Sequence, residues 1–491
     1  HYMYPTLQSY IHAYRGMGQE PVYDPEKGTE SIQHFRKALA IQPELPQVWI
    51  EMAFTFGLNL HEYDSAVYYA NKAIAAVPNW THAYTTMALI CLTKSDTAEA
   101  KTWLDRAFRF DSTSSLILSA LGDWYRGQGQ IELAKQYLEK SIDKGSTAVC
   151  DILWLSILLF NEGHVEDAER MAKKAIKLFP ASVTAYNTLA GIYINSRQFE
   201  KSEHTWIQLI EEDSTRSLPY IHLGHLYQIT GQYLKSIKNY EKAVSLDGNN
   251  PGIYLGLAHL YALFEDWESM LTDYRKVSLL EPRYKYLLAW ADLYNNNFDE
   301  ARQILQQFPP DLSNDGAVLL THASYRILIR DYKEAEAVLL KGIALGDRRK
   351  SRLMTLLGHV YLATGRKVEG EKVIKDACSV SELRNDPSQK VYFYQTQGGL
   401  FRSAGRYDEA IALFKPMLEV DANDPEIHME LARSYSCKGD QQTALFHLEE
   451  ALENGYQEVD QLVYNTSFKN IRETKAWKAL LKEYFPEHFK N

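Results

Sequence analysis

SLPYIHLGHLYQITGQYLKSIKNYEKAVS, residues 217–245, carries the pattern that decides the fold. Its apolar residues recur with a helical period on both sides of a short turn around Gly231, which predicts two amphipathic helices joined as a hairpin. Gly224 in the first helix and Ser236 in the second are small and are predicted to face each other, so that the two helices approach closely. Large side chains of the same stretch, such as that of Tyr240, can fill the space beside this contact.

The same pattern recurs along the chain in steps of 34 residues. In the first helix the small or medium residue is Ala88, Gly122, Ser156, Ala190, Gly224 and Ala258. In the second helix its partner is Ala100, Ala134, Ala168, Ser202, Ser236 and Met270. Two markers that keep one phase predict a stack of similar hairpins, each burying its apolar face against its neighbours. We therefore predict an all-α fold, a right-handed α-α superhelix of about thirteen helical hairpins with a C-terminal cap.

The repeat resembles the tetratricopeptide repeat (TPR), whose period of 34 residues is a known property of that family and is recognised here. One unit matches the family pattern nearly in full, at Trp49, Met52, Ala53, Ala66, Ala73 and Pro78. Another matches at Leu189, Ala190, Tyr193 and Ser202, with Trp206 in place of the usual Phe or Leu. The resemblance implies a scaffold for protein–protein interaction. It also implies that the first helices of the hairpins line a concave groove, which binds a peptide or protein segment.

Breaks in the repeat pattern divide the chain into four predicted segments. They are an N-terminal array of about eight repeats at 1–282, an irregular repeat with a kink at 283–316, a C-terminal array at 317–456, and a capping segment at 457–491. The kink is predicted because Tyr294 and Ala301 are seven residues apart, whereas Tyr227 and Ser236, the equivalent pair of a regular repeat, are nine apart.

The phase of the repeat predicts which side chains point into the groove. They lie one position after, three before and four after the small residue of each first helix. The predicted groove residues are Leu153, Ile157, Phe160, Asn187, Ile194, Ile221, His225, Gln228, Leu255 and His259. This strip is unusually apolar for a surface, which favours a binding site. The alternative is that curvature of the superhelix or the terminal cap buries it.

Two binding modes known in this family are disfavoured by the residues at these positions. Chaperone-tail adaptors hold a C-terminal carboxylate with a clamp of Lys, Asn and Arg, but the matching positions here are Asn187, Ile221 and Leu255. Glycosyltransferase arrays carry a ladder of inward Asn residues. The matching positions here are Thr188, His222 and Gly256.

Two further clusters have a functional and a structural interpretation. His222, His225 and His259 could bind a metal or respond to pH, but reuse of one motif in adjacent repeats explains them as well, and no metal site is predicted. A basic cluster could hold an acidic partner or form a solvated helix face. Its members are Arg348, Arg349, Lys350, Arg352, Arg366, Lys367, Lys372 and Lys375.

Composition and motifs exclude several classes of function. The 491 residues carry a net charge of -10, which argues against direct binding of nucleic acid. No phosphate-binding loop, nucleophile elbow or zinc-protease motif is present, so we expect neither an enzyme nor a cofactor. The four cysteines are widely spaced, and Cys91 is expected to be a small core residue. The longest apolar run is too short for a membrane span.

The two ends of the chain give a second functional hypothesis. Residues 10–14 and 28–43 resemble the start, and residues 454–456 and 464–468 the close, of TPR regions in bacterial signalling and transcription-regulator proteins. That resemblance implies a sensory or regulatory region of a larger protein. The opening, His1-Tyr2-Met3, shows no signal peptide, and we expect a cytoplasmic protein that extends further toward its N-terminus. The sequence does not predict the oligomeric state.

Overall fold

The computed structural model describes residues 25–310, 313–346, 349–379, 394 and 397–489. Within these ranges the chain consists of helices and turns, and the helices follow one another as antiparallel pairs. The predicted all-α fold of stacked hairpins is confirmed. The chain forms two compact units, which meet in sequence between Ser214 and Thr215. The sequence pattern also predicts a first helix at 5–15 and a polar connector at 382–388, and both ranges lie outside the described residues.

Unit 1 contains eleven described helices. They are α1 Pro25–Ile41, α2 Pro46–Phe54, α3 Tyr63–Ala76, α4 Thr81–Thr93, α5 Thr97–Phe110, α6 Ser115–Gly127, α7 Ile131–Asp143, α8 Val149–Asn161, α9 Val165–Leu178, α10 Val183–Asn195 and α11 Phe199–Glu212. A π-helical turn, Thr55–Asn59, extends α2. From α2 onward each even-numbered helix is the first of a hairpin, and the next helix is its partner.

The labelled helices of unit 2 are α12 Ser217–Ile229, α13 Tyr233–Leu246, α14 Pro251–Leu263, α15 Trp267–Leu280, α16 Lys285–Tyr294, α17 Phe298–Leu305, α18 Gly316–Leu328, α19 Tyr332–Ala344, α20 Lys350–Ala363, α21 Lys367–Cys378, α22 Tyr407–Leu418, α23 Pro425–Lys438, α24 Gln441–Glu453, α25 Val459–Tyr464 and α26 Lys475–Tyr484. Unit 2 continues the same scheme as far as α21, and its last hairpin is formed by α23 and α24. Residues 397–403 are also helical. The short pair α16 and α17 corresponds to the repeat predicted to be irregular.

The small residues meet across the hairpins, as the repeat pattern predicts. The Ser236 hydroxyl donates a hydrogen bond of 2.7 Å to the carbonyl oxygen of Gly224. In the α20–α21 hairpin both positions are glycine, and a Cβ atom on Gly358 would lie only 2.9 Å from the carbonyl oxygen of Gly370. Helix axes this close leave no room for a larger side chain at the contact. The 34-residue phase therefore correctly predicts which small residues are in contact between the two helices of these hairpins.

The segment predicted as a cap packs against the last hairpin. Its apolar side chains form one buried cluster with α23 and α24, and Trp477 is its largest member. Those contributed by the segment itself are Leu462, Phe468, Ile471, Trp477, Leu480 and Leu481. An array of repeats needs such a terminal element because its last hairpin would otherwise expose one apolar face to water.

A buried ion network joins distant parts of unit 2. The Arg402 guanidinium donates to Glu265 Oε1 at 3.0 Å from Nε and to Glu430 Oε2 at 2.8 Å from Nη1. All three side chains are at least 97% buried, since their exposed fractions are 1%, 3% and 1%. The Ser467 hydroxyl donates to the second oxygen of Glu265. The network thus connects the turn before α15 with the helical segment 397–403, helix α23 and the capping segment.

Glu265 holds its place in this network in an unusual backbone conformation. Its φ is 57°, in the left-handed region that costs most side chains about 1 kcal/mol or more. One repeat earlier the same turn position is Gly231, with a φ of 71°. Glycine adopts this conformation without penalty, so a glutamate at this position has a conformational cost that a glycine would not have. Its buried contacts with Arg402 and Ser467 offset that cost.

Candidate protein-binding surfaces

The predicted groove residues of unit 1 lie on the adjacent first helices α8 and α10, which pack against each other. Leu153 is buried, with an exposed fraction of 4%. Ile157, Phe160 and Ile194 are half-buried, and Asn187 is exposed. We call Ile157, Phe160, Asn187 and Ile194 the first-helix strip. It is an accessible apolar surface with one amide group beside it, and a binding role for it stays a prediction.

Charged and aromatic groups border the first-helix strip on the side of α6. The Arg126 guanidinium lies over the indole of Trp154, 4.0 Å from the ring centroid. Arg126 also pairs with Asp123, at 3.5 Å between Nε and Oδ1. Burial raises the pKa of the Asp123 carboxyl, while Arg126 opposes that rise and Asp151 adds to it. The strip therefore passes from an apolar centre to a polar border within adjacent hairpins.

The predicted groove residues of unit 2 contact their own unit. Ile221 is buried, with an exposed fraction of 8%, and Leu255 packs against the main core cluster. The Tyr240 hydroxyl lies 2.9 Å from Nδ1 of His225 and 3.5 Å from Oε1 of Gln228. His259 is half-buried. His225 is exposed, while Gln228 and Leu255 are half-buried, and a binding role for these five residues also stays a prediction.

Burial favours the neutral form of His222 and His259. Burial, and to a lesser extent His225, lowers the pKa of His222 to about 4. Burial, with a smaller effect of Arg352, lowers the pKa of His259 to about 4. Neutral imidazoles can bind metals, but no three His, Cys, Asp or Glu side chains among the described residues are placed to hold a metal ion.

The basic cluster is largely paired with acidic side chains of its own unit. Arg366 makes a two-point contact with Glu336, at 3.0 and 2.6 Å. Lys375 lies 2.6 Å from a Glu419 oxygen. Arg349 and Lys367 also have carboxylate neighbours, whereas Arg348 lies outside the described residues.

Cys91 lies in the core of unit 1, where it was expected. Burial raises the pKa of its thiol to about 11, and Glu99 and Asp96 contribute to this rise.

A second surface of unit 1 was not predicted from the sequence. We call it the outer groove: it runs between the second helices α9 and α11, above α10, and encloses about 800 Å³. Tyr186, Leu189 and Tyr193 form its floor, while Lys173 and Lys177 are among the charged residues that line it. It combines an apolar base with charged sides.

The outer groove is open because two large side chains are replaced by smaller or polar ones. Three repeats earlier, Trp103 and Phe110 lie over the ring of Tyr84, with centroids 5.9 and 5.3 Å away. That groove encloses only about 440 Å³. The equivalent positions here are Thr205 and Glu212. The sequence signal for this opening is the replacement of the aromatic residues at these two second-helix positions by Thr205 and Glu212.

Three segments of the chain match family models. Residues 224–263 match a model described as TPR repeat, and residues 117–143 and 401–463 match models of the tetratricopeptide repeat. The chain contains tetratricopeptide repeats. Repeats of this family serve protein–protein interaction, and this TPR chain is accordingly a protein-interaction scaffold. None of its described helices has the length and apolarity needed to cross a bilayer.

The chain is also similar to several solved structures. Pseudomonas aeruginosa PilF is 18% identical over 41% of this chain and 92% of its own, with a TM-score of 0.35. The C-terminal part of a TPR protein from Cytophaga hutchinsonii is 18% identical over 51% and 98%, with a TM-score of 0.34. YrrB, described as a TPR protein with an unusual peptide-binding site, is 17% identical over 38% and 95%, with a TM-score of 0.31. No curated protein matches the chain.

Proposed function

We propose that the chain is a non-catalytic scaffold whose first-helix strip binds an extended segment of a partner protein. The observation that supports this most is the accessibility of Ile157, Phe160 and Ile194 on two adjacent first helices. These are the helices that the family resemblance assigns to the concave groove. Apolar side chains left accessible in a group are a common mark of a binding site.

The neighbouring polar groups suit a peptide backbone. Asn187 is exposed and carries both a hydrogen-bond donor and an acceptor, as a peptide group does. Apolar side chains of the ligand would contact Ile157 and Phe160, and the amide of Asn187 would fix its register. A binding energy concentrated in a few apolar anchors with a polar rim is the usual arrangement at protein interfaces.

We expect the double variant Ile157→Asp with Ile194→Asp to lose partner binding by roughly tenfold or more, because two carboxylates would be desolvated in the apolar contact. The measurement is selection of binders from a random peptide display library, followed by affinity titration of the selected peptides. A pull-down from native lysate with mass spectrometry then identifies the partner.

The matched control is Ile131→Asp with Leu178→Asp, two exposed apolar residues on second helices of the same unit. It should bind as the wild type does. Circular dichroism must show unchanged helical content and a single melting transition for both variants. If the strip variant is folded and still binds every selected peptide, the strip is not the binding site. If it unfolds, Ile157 and Ile194 belong to the core and the phase assignment is wrong.

A regulatory role is the second candidate function. It rests on the resemblance of the two ends to TPR regions of bacterial signalling and transcription regulators. In this candidate the scaffold transmits a binding event to an effector domain encoded in the same gene. The full-length gene sequence tests it, since a winged-helix, cyclase or kinase domain would support it and an uninterrupted repeat array would contradict it.

A further inference from the structure

The outer groove lies at a place where another hairpin of the chain holds aromatic side chains of its own. In the hairpin of α4 and α5 the rings of Trp103 and Phe110 lie over Tyr84, with centroids 5.9 and 5.3 Å from that of the Tyr84 ring. Aromatic rings at these distances attract each other beyond the effect of their apolar burial. The Arg106 guanidinium lies over the indole, 4.6 Å from the ring centroid. This hairpin therefore occupies its own second-helix groove with an indole and a phenyl ring.

The hairpin of α10 and α11 keeps the tyrosine but lacks both of the rings above it. Tyr186 is the equivalent of Tyr84, and Thr205 and Glu212 replace the two aromatic residues of α5. The Thr205 hydroxyl donates a hydrogen bond of 2.7 Å to the carbonyl oxygen of Lys201 in its own helix. The outer groove encloses about 800 Å³, against about 440 Å³ in the filled one. A volume of that size is typical of sites that bind a ligand.

Other hairpins with the same tyrosine also have an apolar residue at the end of the second helix. A tyrosine recurs at the position of Tyr186 in α12 and in α14. The residues equivalent to Glu212 are Leu246 and Leu280 in these two hairpins, and Phe110 in α5. Glu212 is an exposed carboxylate at the same place. The hairpin of α10 and α11 thus lacks the apolar neighbour that three equivalent hairpins supply from their own chain.

Flexible charged side chains cover the floor of the outer groove in place of aromatic rings. Tyr186 and Tyr193 have exposed fractions of 1% and 3%. The Lys201 ammonium lies over the ring of Tyr193, 5.3 Å from the centroid, and Lys173 pairs with Glu169 at 2.6 Å. Both lysines are exposed, and a lysine carries its charge on a flexible four-carbon stem. An incoming ring can therefore displace them without moving the helices.

The charges that line the outer groove favour an acidic ligand. Lys173, Lys177 and Lys201 contribute three ammonium groups, whereas Glu200 and Glu212 contribute two carboxylates. The border therefore has an excess of positive charge, although the chain as a whole has a net charge of -10. Complementary charge at the rim of an interface selects the partner and speeds its association.

We propose that the outer groove binds the tryptophan side chain of an acidic segment of a partner protein. The indole would lie over Tyr186 as that of Trp103 lies over Tyr84, and carboxylates beside it in the ligand would pair with the lysines at the border. A buried aromatic anchor of this kind supplies much of the binding energy at protein interfaces. Second helices form this surface, so the proposal does not rest on the first-helix strip, and the scaffold can hold two partners at once.

The test uses the whole chain and the peptide acetyl-Gly-Asp-Trp-Asp-Gly-amide, whose tryptophan carries a fluorine at ring position 5. Its fluorine NMR signal comes from the probe alone, although the chain itself has nine tryptophans. We expect the signal to broaden and shift as the chain is added, and the unlabelled peptide to reverse this change. A peptide with alanine in place of tryptophan should not compete, and one with lysine in place of both aspartates should compete more weakly.

Three results of this titration would overturn the proposal. The first is a fluorine signal that the chain does not change. The second is equal competition by the tryptophan and alanine peptides. The third is free 5-fluorotryptophan that binds as tightly as the peptide, because the groove would then be a site for a small molecule.

Two variants let the chain fill the outer groove itself. Glu212→Phe, at an exposed position, restores the phenyl ring of α5 and should weaken binding by about fivefold. Adding Thr205→Trp restores both rings and should abolish binding. The control is Ile207→Trp, which adds an indole at an exposed position of α11 outside the groove and should bind as the wild type does. If circular dichroism shows that the double variant is unfolded, Glu212→Phe alone decides, and an unchanged affinity would contradict the proposal.

A pair of lysine variants tests the charge at the border. Lys177→Glu reverses an exposed charge that lines the outer groove and should weaken binding of the peptide by about threefold. Lys174→Glu makes the same change at an exposed position of α9 outside the groove and should have little effect. Equal affinities of these two variants would contradict the role of the border.

The variant of the first-helix strip separates this site from the proposed function. Ile157→Asp with Ile194→Asp should bind the tryptophan peptide as the wild type does, because the strip lies on first helices. Loss of binding in this variant, when it is folded, would assign the peptide to the strip and would overturn the outer groove as its site. Loss of binding in the folded variant of Glu212 and Thr205, with the strip variant unaffected, would support the outer groove whether or not the strip binds a partner.

Discussion

Replacing Arg402 by methionine is expected to destabilise the protein by about 3–5 kcal/mol, because it leaves the Glu265 carboxylate buried without its cation. Methionine keeps much of the side-chain volume, so the loss reports charge and hydrogen bonds more than a cavity. The measurement is urea denaturation followed by circular dichroism. Since Glu430 keeps its second partner, Arg433, most of the effect should come from Glu265.

A surface ion pair in the same unit provides the control. Arg366 and Glu336 form a two-point contact of similar geometry, but their side chains are 35% and 28% exposed. Arg366→Met should therefore cost less than about 1 kcal/mol. The double variant Glu265→Gln with Arg402→Met should regain part of the loss, because a neutral amide is cheaper to bury than a carboxylate. An equal cost for Arg402→Met and Arg366→Met would show that the buried network contributes no more than a surface pair.

The effect of Arg402→Met should also vanish in acid. Burial alone would raise the pKa of Glu265, but Arg402 outweighs burial, and the pKa lies below its ordinary value of 4.5. A depressed pKa contributes stability that is present above pH 4.5 and is lost as the pH falls through the folded-state pKa. The difference between wild type and variant should therefore shrink below pH 4.5. A difference that grows in acid would contradict the ionised state of Glu265.

Replacing Tyr240 by alanine is expected to cost about 3–5 kcal/mol, the usual range for a large aromatic side chain removed from a core. Tyr240 is fully buried on α13. Its ring lies between two glycines, since a Cβ atom on Gly224 or on Gly256 would come within 2.8 or 2.7 Å of it. One glycine belongs to its own hairpin and the other to the next. The ring is thus a shared contact, and its loss opens the stack between two repeats.

Two further tyrosine variants separate the causes of this loss. Tyr240→Phe removes only the hydroxyl that contacts His225 and should cost about 1 kcal/mol. Tyr68→Ala, at a position that is 60% exposed, should change the free energy of unfolding by less than about 0.5 kcal/mol. Thermal or urea unfolding of the three variants measures the change in the free energy of unfolding that each substitution causes. If Tyr240→Ala changes the free energy of unfolding as little as Tyr68→Ala does, the contact of the Tyr240 ring with the two glycines does not stabilise the protein.

The sequence predicted the local packing because one hairpin contains all the residues that decide it. Gly224 and Ser236 are twelve positions apart, and a helical period with a turn is enough to place them face to face. The repeat then extends this contact to every unit in phase. The apolar cap followed from the same argument, since the last hairpin needs a cover.

The candidate surfaces were predicted less well, because exposure depends on neighbouring repeats. Leu153 occupies a groove position by phase but is buried, since α8 is apolar around most of its circumference. The outer groove depends on Thr205, which stands where an earlier repeat has Trp103. A pattern shared by all repeats does not show a difference of this kind between two of them. The pair of Glu265 and Arg402 is separated by 137 residues, and no periodic pattern indicates which turn will meet which helix.

The ion network also affects the order in which parts of the chain fold during synthesis. Hairpins of unit 1 pack against their immediate neighbours in the sequence, so this unit can fold progressively as the chain leaves the ribosome. Glu265 emerges 202 residues before Ser467, whose hydroxyl donates a hydrogen bond to the Glu265 carboxylate. Arg402 emerges 137 residues after Glu265, so the Glu265 carboxylate first lacks its cation and then, until Ser467 emerges, lacks part of its buried network. The hairpin of α14 and α15 is made well before the chain ends. On stalled nascent chains we nevertheless expect it to become resistant to a protease later than the hairpins next to it.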